Sequence, residues 1–167
     1  MANTYKLISS YTATGAVTSI SFSSIPATYT DLVVKVSCNN TTSTDGVYIE
    51  FNGSTSGYTF RVLRGDGTSA ISADQAAFGT NGVLGGYNIN TANMFNNVEF
   101  YIPNYAGSNN KSVSADGVQE ANTTTAYALI NAGQWANASA INSIRLFNSV
   151  YQFGTNSTAS LYGIKNS

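Results

Sequence analysis

Apolar residues recur at every second position along most of this chain. Leu32, Val34, Val36 and Cys38 alternate with Val33, Lys35 and Ser37, which sets an apolar row on one face of a strand and leaves the Lys35 head able to reach solvent. Val47 to Asn52 and Gly57 to Val62 read as the arms of a hairpin around Gly53 to Ser56. That loop sets Val47 opposite Val62, Ile49 opposite Phe60 and Phe51 opposite Tyr58, with Tyr48, Glu50, Thr59 and Arg61 on a wet face. Slipping the register by one residue would put Arg61 among the apolar side chains. Further strands are predicted over Tyr5 to Ser9, Val17 to Phe22, Val98 to Pro103, Ser112 to Gln119, Thr125 to Ala132, Ile141 to Phe147 and Thr158 to Lys165.

Turn chemistry punctuates these segments. Asp45-Gly46, Asn52-Gly53, Asp66-Gly67, Asn81-Gly82 and Asp116-Gly117 each supply a residue that tolerates positive φ. Many short strands joined in this way predict an all-β fold, an antiparallel sandwich or barrel, in one domain over residues 1–167. Helix is confined to one turn near Ser72 to Ala77 or Asn90 to Met94. The stretch from Gly65 to Asn93 lacks clear alternation, holds Gly79, Gly82, Gly85 and Gly86, and reads as a surface loop or a connection between sheets. The inner faces are predicted to hold Leu32, Val34, Val36, Ile49, Phe51, Phe60, Val62, Val98, Phe100, Ile102, Ile144, Leu146 and Leu161. Cys38, at the end of its apolar row, reads as a small core residue.

Composition narrows the function. Hydrophobic residues make up 43% of the chain and aromatics 12%, the reverse of a disordered signature, so the low charged fraction of 9% reflects replacement by neutral polar residues. Seven Lys and Arg are scattered against eight Asp and Glu, a formal net charge of -1 with no run of either sign. Nucleic acid needs clustered cations and is not an expected partner. A weakly charged surface suits packing against neighbours in an assembly, copies of the same chain among them. No segment has the length of a transmembrane helix, no cationic and apolar leader opens the sequence, and the lone cysteine can form no intrachain disulfide, so a reducing cytoplasm is the expected place of synthesis. In that setting the Asn-x-Ser/Thr strings at Asn39, Asn52, Asn122 and Asn156 carry no meaning for glycosylation.

Catalytic equipment is sparse. The chain contains no histidine, so its many serines have no imidazole base, and no G-x-S-x-G elbow is present. Three acids, Asp45, Asp66 and Asp116, precede glycine and have a turn explanation, whereas Glu50 and Glu99 lie on the polar sides of their strands. Transition-metal binding lacks ligands, Asp66, Asp74 and Asp116 match no calcium-loop spacing, and no glycine cluster has the context of a phosphate-binding loop. A non-enzymatic protein without cofactor or metal is expected. Sugar binding is the strongest alternative: of 11 tyrosines and one tryptophan, Tyr48, Tyr87, Tyr101, Tyr105 and Trp135 are candidates to stack on pyranose rings beside Asn or Asp. The competing reading, that these rings fill the core or a protein interface, is the favoured one.

Four strings carry a resemblance. IPATYTDLVVKV at 25–36, IPNYAGSNNKSVSADGVQE at 102–120, AGQWANASAINSIRLF at 132–147 and STASLYGIK at 157–165 together resemble small virion structural proteins of tailed bacteriophages, notably marine and cyanobacterial ones. The resemblance implies a β-sandwich of jelly-roll type, carried on the capsid exterior as a head decoration or knob, or else a tail-fibre component. It implies contact with the major capsid protein or other virion proteins, assembly in the host cytoplasm, and for a tail-fibre or receptor-binding module, contact with host-surface glycans. It supplies no catalytic motif. The chain has no coiled-coil or β-helical shaft of the kind a self-standing fibre uses, which favours the head.

Overall fold

A computed structural model describes residues 4–42, 44–74, 81–88, 94–121 and 126–165. Twelve strands run through them: β1 Tyr5–Thr12, β2 Ser19–Phe22, β3 Asp31–Cys38, β4 Asp45–Phe51, β5 Tyr58–Gly65, β6 Ala70–Asp74, β7 Val83–Asn88, β8 Asn96–Pro103, β9 Lys111–Gln119, β10 Tyr127–Trp135, β11 Ile144–Asn148 and β12 Thr158–Ile164. Among the described residues there is no helix. All pairings are antiparallel, and they build an eight-stranded sheet in the order β1-β12-β3-β8-β9-β10-β5-β6 and a four-stranded sheet in the order β2-β11-β4-β7.

The order has a simple logic. The runs β1-β12-β3-β8 and β2-β11-β4-β7 are the two four-stranded halves of a jelly roll, produced as the chain alternates between sheets. Between β4 and β7 the chain adds β5 and β6, and between β8 and β11 it adds β9 and β10. These four strands pair as β9-β10-β5-β6 and extend one half of the jelly roll. The expected all-β antiparallel sandwich is therefore the observed fold.

The core lies between the sheets. Each of the thirteen predicted inner-face residues is buried, and Cys38 is fully buried with them. Phe51, Tyr58 and Trp135 form an aromatic group at one end of it, with ring centroids 5.7 to 6.2 Å apart. Burial of this much apolar surface, at about 25 cal/mol per Å², is the main force holding the two layers together.

The expected β4–β5 hairpin does not form. β4 pairs with β11 and β7, and β5 pairs with β10 and β6, so the two are joined by an arch that crosses from one sheet to the other. Asn52 and Gly53 turn the chain there with φ of 53° and 68°. Alternation specifies which face of each strand is apolar, and those faces meet across the core as readily as side by side; Phe51 and Tyr58 do meet, but between layers. Thr59 and Arg61 are exposed as expected, whereas Tyr48 and Glu50 are buried. Tyr48 stacks on Phe147 at 5.5 Å, and Glu50 pairs with Arg145 at 3.3 Å.

Two of the five expected turns belong to strands. Asp45-Gly46 begins β4 and Asp116-Gly117 lies within β9. Gly117 is required by proximity: a Cβ there would stand 2.8 Å from both the Gly85 carbonyl oxygen and the Gly86 Cα of the facing layer. That approach is made by β7, the glycine-rich segment expected to be a loop. Its backbone lies on β8, β9 and β10, and the buried Asn131 side chain on β10 donates a hydrogen bond to the Leu84 carbonyl. Residues 72–74, expected in a helical turn, belong to β6; Gln75 to Ala77 and Asn90 to Asn93, the remainder of the two helical expectations apart from the non-helical Met94, lie outside the described residues.

Candidate interaction surface

The inner face of the eight-stranded sheet packs on the core, and its outer face spans eight strands. Register fixes who stands beside whom there. Tyr162, Val33, Tyr101, Ser114, Ala132 and Arg61 are successive lateral neighbours across β12, β3, β8, β9, β10 and β5. The next line runs Ser160, Lys35, Glu99, Asp116, Ile130 and Leu63.

At the β1 side this face is aromatic and polar. Tyr5 and Leu7 are exposed, Tyr5 meets Tyr162 edge to face at 6.3 Å, and Val33 is wholly buried. The Tyr101 hydroxyl donates to Asp31 at 2.8 Å, and that carboxylate also accepts from the Asn104 amide at 2.9 Å. The bond to Asp31 holds the Tyr101 proton in place and raises its pKa. Lys35 and Glu99 form an ion pair at 2.8 Å, and Glu99 raises the lysine pKa. Beside them is a shallow depression of about 350 Å³ lined by Lys35, Ser37, Asn97, Glu99, Ser160 and Tyr162 among others.

At the β5 side the same face is apolar. Leu63, Val118 and Ile130 are 54%, 48% and 66% exposed, far more than large aliphatic side chains in a strand interior usually are. Exposed Ala70, Ala128 and Ala132 lie around them, and a second depression of about 270 Å³ opens between Leu63, Val118, Ala128 and Ile130. β9, β10 and β5 pair here without a break in register, so the patch is continuous.

The five aromatic candidates do not gather on this surface. Trp135 is buried between Phe51 and Tyr58. Tyr105 is fully buried, its hydroxyl donating to the Pro26 carbonyl, and burial raises its pKa. Tyr48 is buried against Phe147, and burial pushes its hydroxyl well above the usual phenol range. None of these three can be offered to a sugar from where it stands. Tyr87 is half-buried in a separate group, 5.2 Å from Tyr127, with the Arg64 guanidinium 5.8 Å and 4.9 Å from the two rings. Only Tyr101 of the five lies on the outer face described above, one strand removed from Tyr162. The alternation of β12 marks Tyr162 as outward once its inward neighbours Ala159 and Leu161 are recognised, and this is the signal that would have found it.

The acids are spread over the fold, with Asp116 and Glu99 side by side. Asp66 closes the turn between β5 and β6, accepting from the amides of Thr68 and Ser69 at 2.9 Å and 2.7 Å and from both hydroxyls, which hold its pKa far below the carboxylate norm. Asp74 lines up with Arg61 and Asp116 with Glu99 and Ile130. Among the described residues no three His, Cys, Asp or Glu side chains gather as metal ligands would, and no helix is long and apolar enough to cross a membrane.

No family model and no curated protein matches the chain. Among solved structures, a tetrameric galectin from the ball sponge Cinachyrella sp. is similar with 11% sequence identity and a TM-score of 0.37, over 87% of this chain and 99% of the galectin. The fold assignment rests on the sheet order itself.

Proposed function

We propose that this chain is a non-enzymatic structural protein of a tailed-phage particle, seated on the capsid exterior as a decoration or knob in contact with the major capsid protein. The observation that carries this reading is the outer face of the eight-stranded sheet, where large aliphatic side chains are exposed in a continuous patch. Apolar patches on soluble domains mark surfaces that other proteins cover. The four resembling strings support the same reading, as does the near-neutral charge. The test is reconstitution: purified protein added to expanded heads lacking it should bind them and raise their resistance to heat or osmotic shock. Recovery only in the tail fraction of dissociated virions would refute the placement, and polysaccharide hydrolysis would refute the class.

A second reading has its own observation. The depression beside Tyr162 combines an aromatic ring with charged, amide and hydroxyl groups, the equipment of a glycan-binding module on a tail fibre or receptor-binding protein. Retention of host-derived glycans, lost on Tyr162→Ala while the fold is kept, would favour it over decoration. A blank glycan array together with head location removes it.

A further inference from the structure

The apolar patch on the outer face carries opposite charges on its two sides. β10 runs through its middle and carries Ile130, the most exposed of the patch's large side chains at 66%. On one side, in β9, exposed Asp116 is the lateral neighbour of Ile130. On the other side, in β5, Leu63 is the lateral neighbour of Ile130, and exposed Arg61 follows two residues along on the same face. A carboxylate and a guanidinium thus flank the apolar centre at the same strand spacing, about 4.8 Å, from β10.

We propose that this patch is the contact between two copies of the chain, packed face to face about a twofold axis lying along β10. Rotation about that axis exchanges the β9 side for the β5 side and leaves position along the strand unchanged. Ile130 then meets the partner's Ile130, and Asp116 comes over the partner's Leu63 within side-chain reach of the partner's Arg61. The relation holds in both directions, as an isologous contact requires. The carboxylate and the guanidinium stand on opposite sides of β10, one register row apart, which is the offset that side chains of this length span across such an axis. Arg61 lines up with Asp74 in β6 and donates to the Phe60 carbonyl at 3.0 Å through one nitrogen, and its fork carries further donors that a carboxylate from across the interface can share.

Sedimentation equilibrium of the purified native chain tests this, with circular dichroism and thermal melting as controls. The native chain should form dimers, and Ile130→Arg should weaken them by at least about 30-fold, since burial of a charge replaces burial of an aliphatic side chain. Asp116→Arg and Arg61→Asp should each weaken association by about 10-fold, and the double variant should restore it to within about 3-fold of native. Asp116 is exposed, so Asp116→Arg should leave the melting temperature of the isolated chain unchanged even if Ile130→Arg does not fold. A native chain that stays monomeric at about 0.1 mM overturns the proposal. So does a dimer indifferent to these substitutions. A monomer that still binds heads, and loses that binding on Ile130→Arg, assigns the patch to another virion protein and leaves decoration standing, so the two failures are distinguishable.

Discussion

The amide of Phe51 donates a hydrogen bond to the phenolic oxygen of Tyr58 at 2.7 Å, and this one bond ties the last residue of β4 in the small sheet to the first residue of β5 in the large one. Both residues are buried. The phenol therefore does two things: its ring packs on Phe51 and Trp135, and its oxygen satisfies an amide at the point where the chain leaves the ladder to cross between layers.

Tyr58→Phe keeps the ring and removes the acceptor. It should destabilise the fold by about 1–3 kcal/mol, the cost of a buried donor left unpaired. Burial pushes the Tyr58 pKa from 10.0 up to about 12. The folded state thus holds the proton more tightly than the unfolded chain, so this stability is fully present below about pH 10 and is lost as pH rises toward about 12. Urea denaturation across that range should show native stability falling, with a shallower fall in Tyr58→Phe. Equal slopes for the two proteins would contradict the assignment.

Gly117 should tolerate no side chain. Gly117→Ala puts a methyl group against the backbone of Gly85 and Gly86, which cannot rotate away, and should cost about 1–3 kcal/mol. Gly15→Ala is the control: nothing lies within 4 Å and its φ is outside the left-handed region, so its effect should stay within about 1 kcal/mol. Chemical denaturation of both variants checks the contrast.

These glycines also explain what was legible in the sequence and what was not. β3 buries one face and exposes Lys35 and Ser37 on the other, and β12 buries one face and half-buries most of the other, so their alternation could be read directly. β7 was missed because Gly85 and Gly86 contribute no side chain to the pattern; their role is to let the opposite layer approach. The β4–β5 arch was missed because a hairpin and an arch need the same apolar rows. Among the site candidates, abundance of aromatic residues signalled surface recognition no better than core packing, and Trp135 and Tyr105 went to the core. The exposed patch was illegible for a related reason: Leu63, Val118 and Ile130 alternate with inward residues and only the paired sheet brings them together.

Lys111 is almost wholly buried at the start of β9, its ammonium donating to the carbonyls of Gly107, Asn109 and Asn137. Lys111→Met should leave these carbonyls without that donor and cost about 1–3 kcal/mol at neutral pH. Burial lowers the lysine pKa below 10.5, so the unfolded chain binds the proton more tightly, and this group's contribution to stability rises with pH between its folded value and 10.5. Comparing native and Lys111→Met stability from about pH 8 to about pH 10 should show the native protein gaining relative to the variant. A constant difference would mean that the folded state does not disfavour the charge.

Trp135 is the chain's single tryptophan, and its burial makes it a reporter as well as a structural element. Its ring stacks on Tyr58 with planes 16° apart and centroids 6.2 Å apart. Native emission should be blue-shifted and resistant to iodide, and both properties should be lost on unfolding. Trp135→Ala empties that space and should cost about 3–5 kcal/mol, lowering the melting temperature by about 10 °C. Tyr101→Phe removes only a half-exposed hydroxyl, and Asp31 keeps its bond from the Asn104 amide, so the loss should be about 1 kcal/mol. If Trp135 were instead a surface ring for sugars, quenching would be efficient and Trp135→Ala would melt like the native protein; the opposite order of effects is what core placement requires.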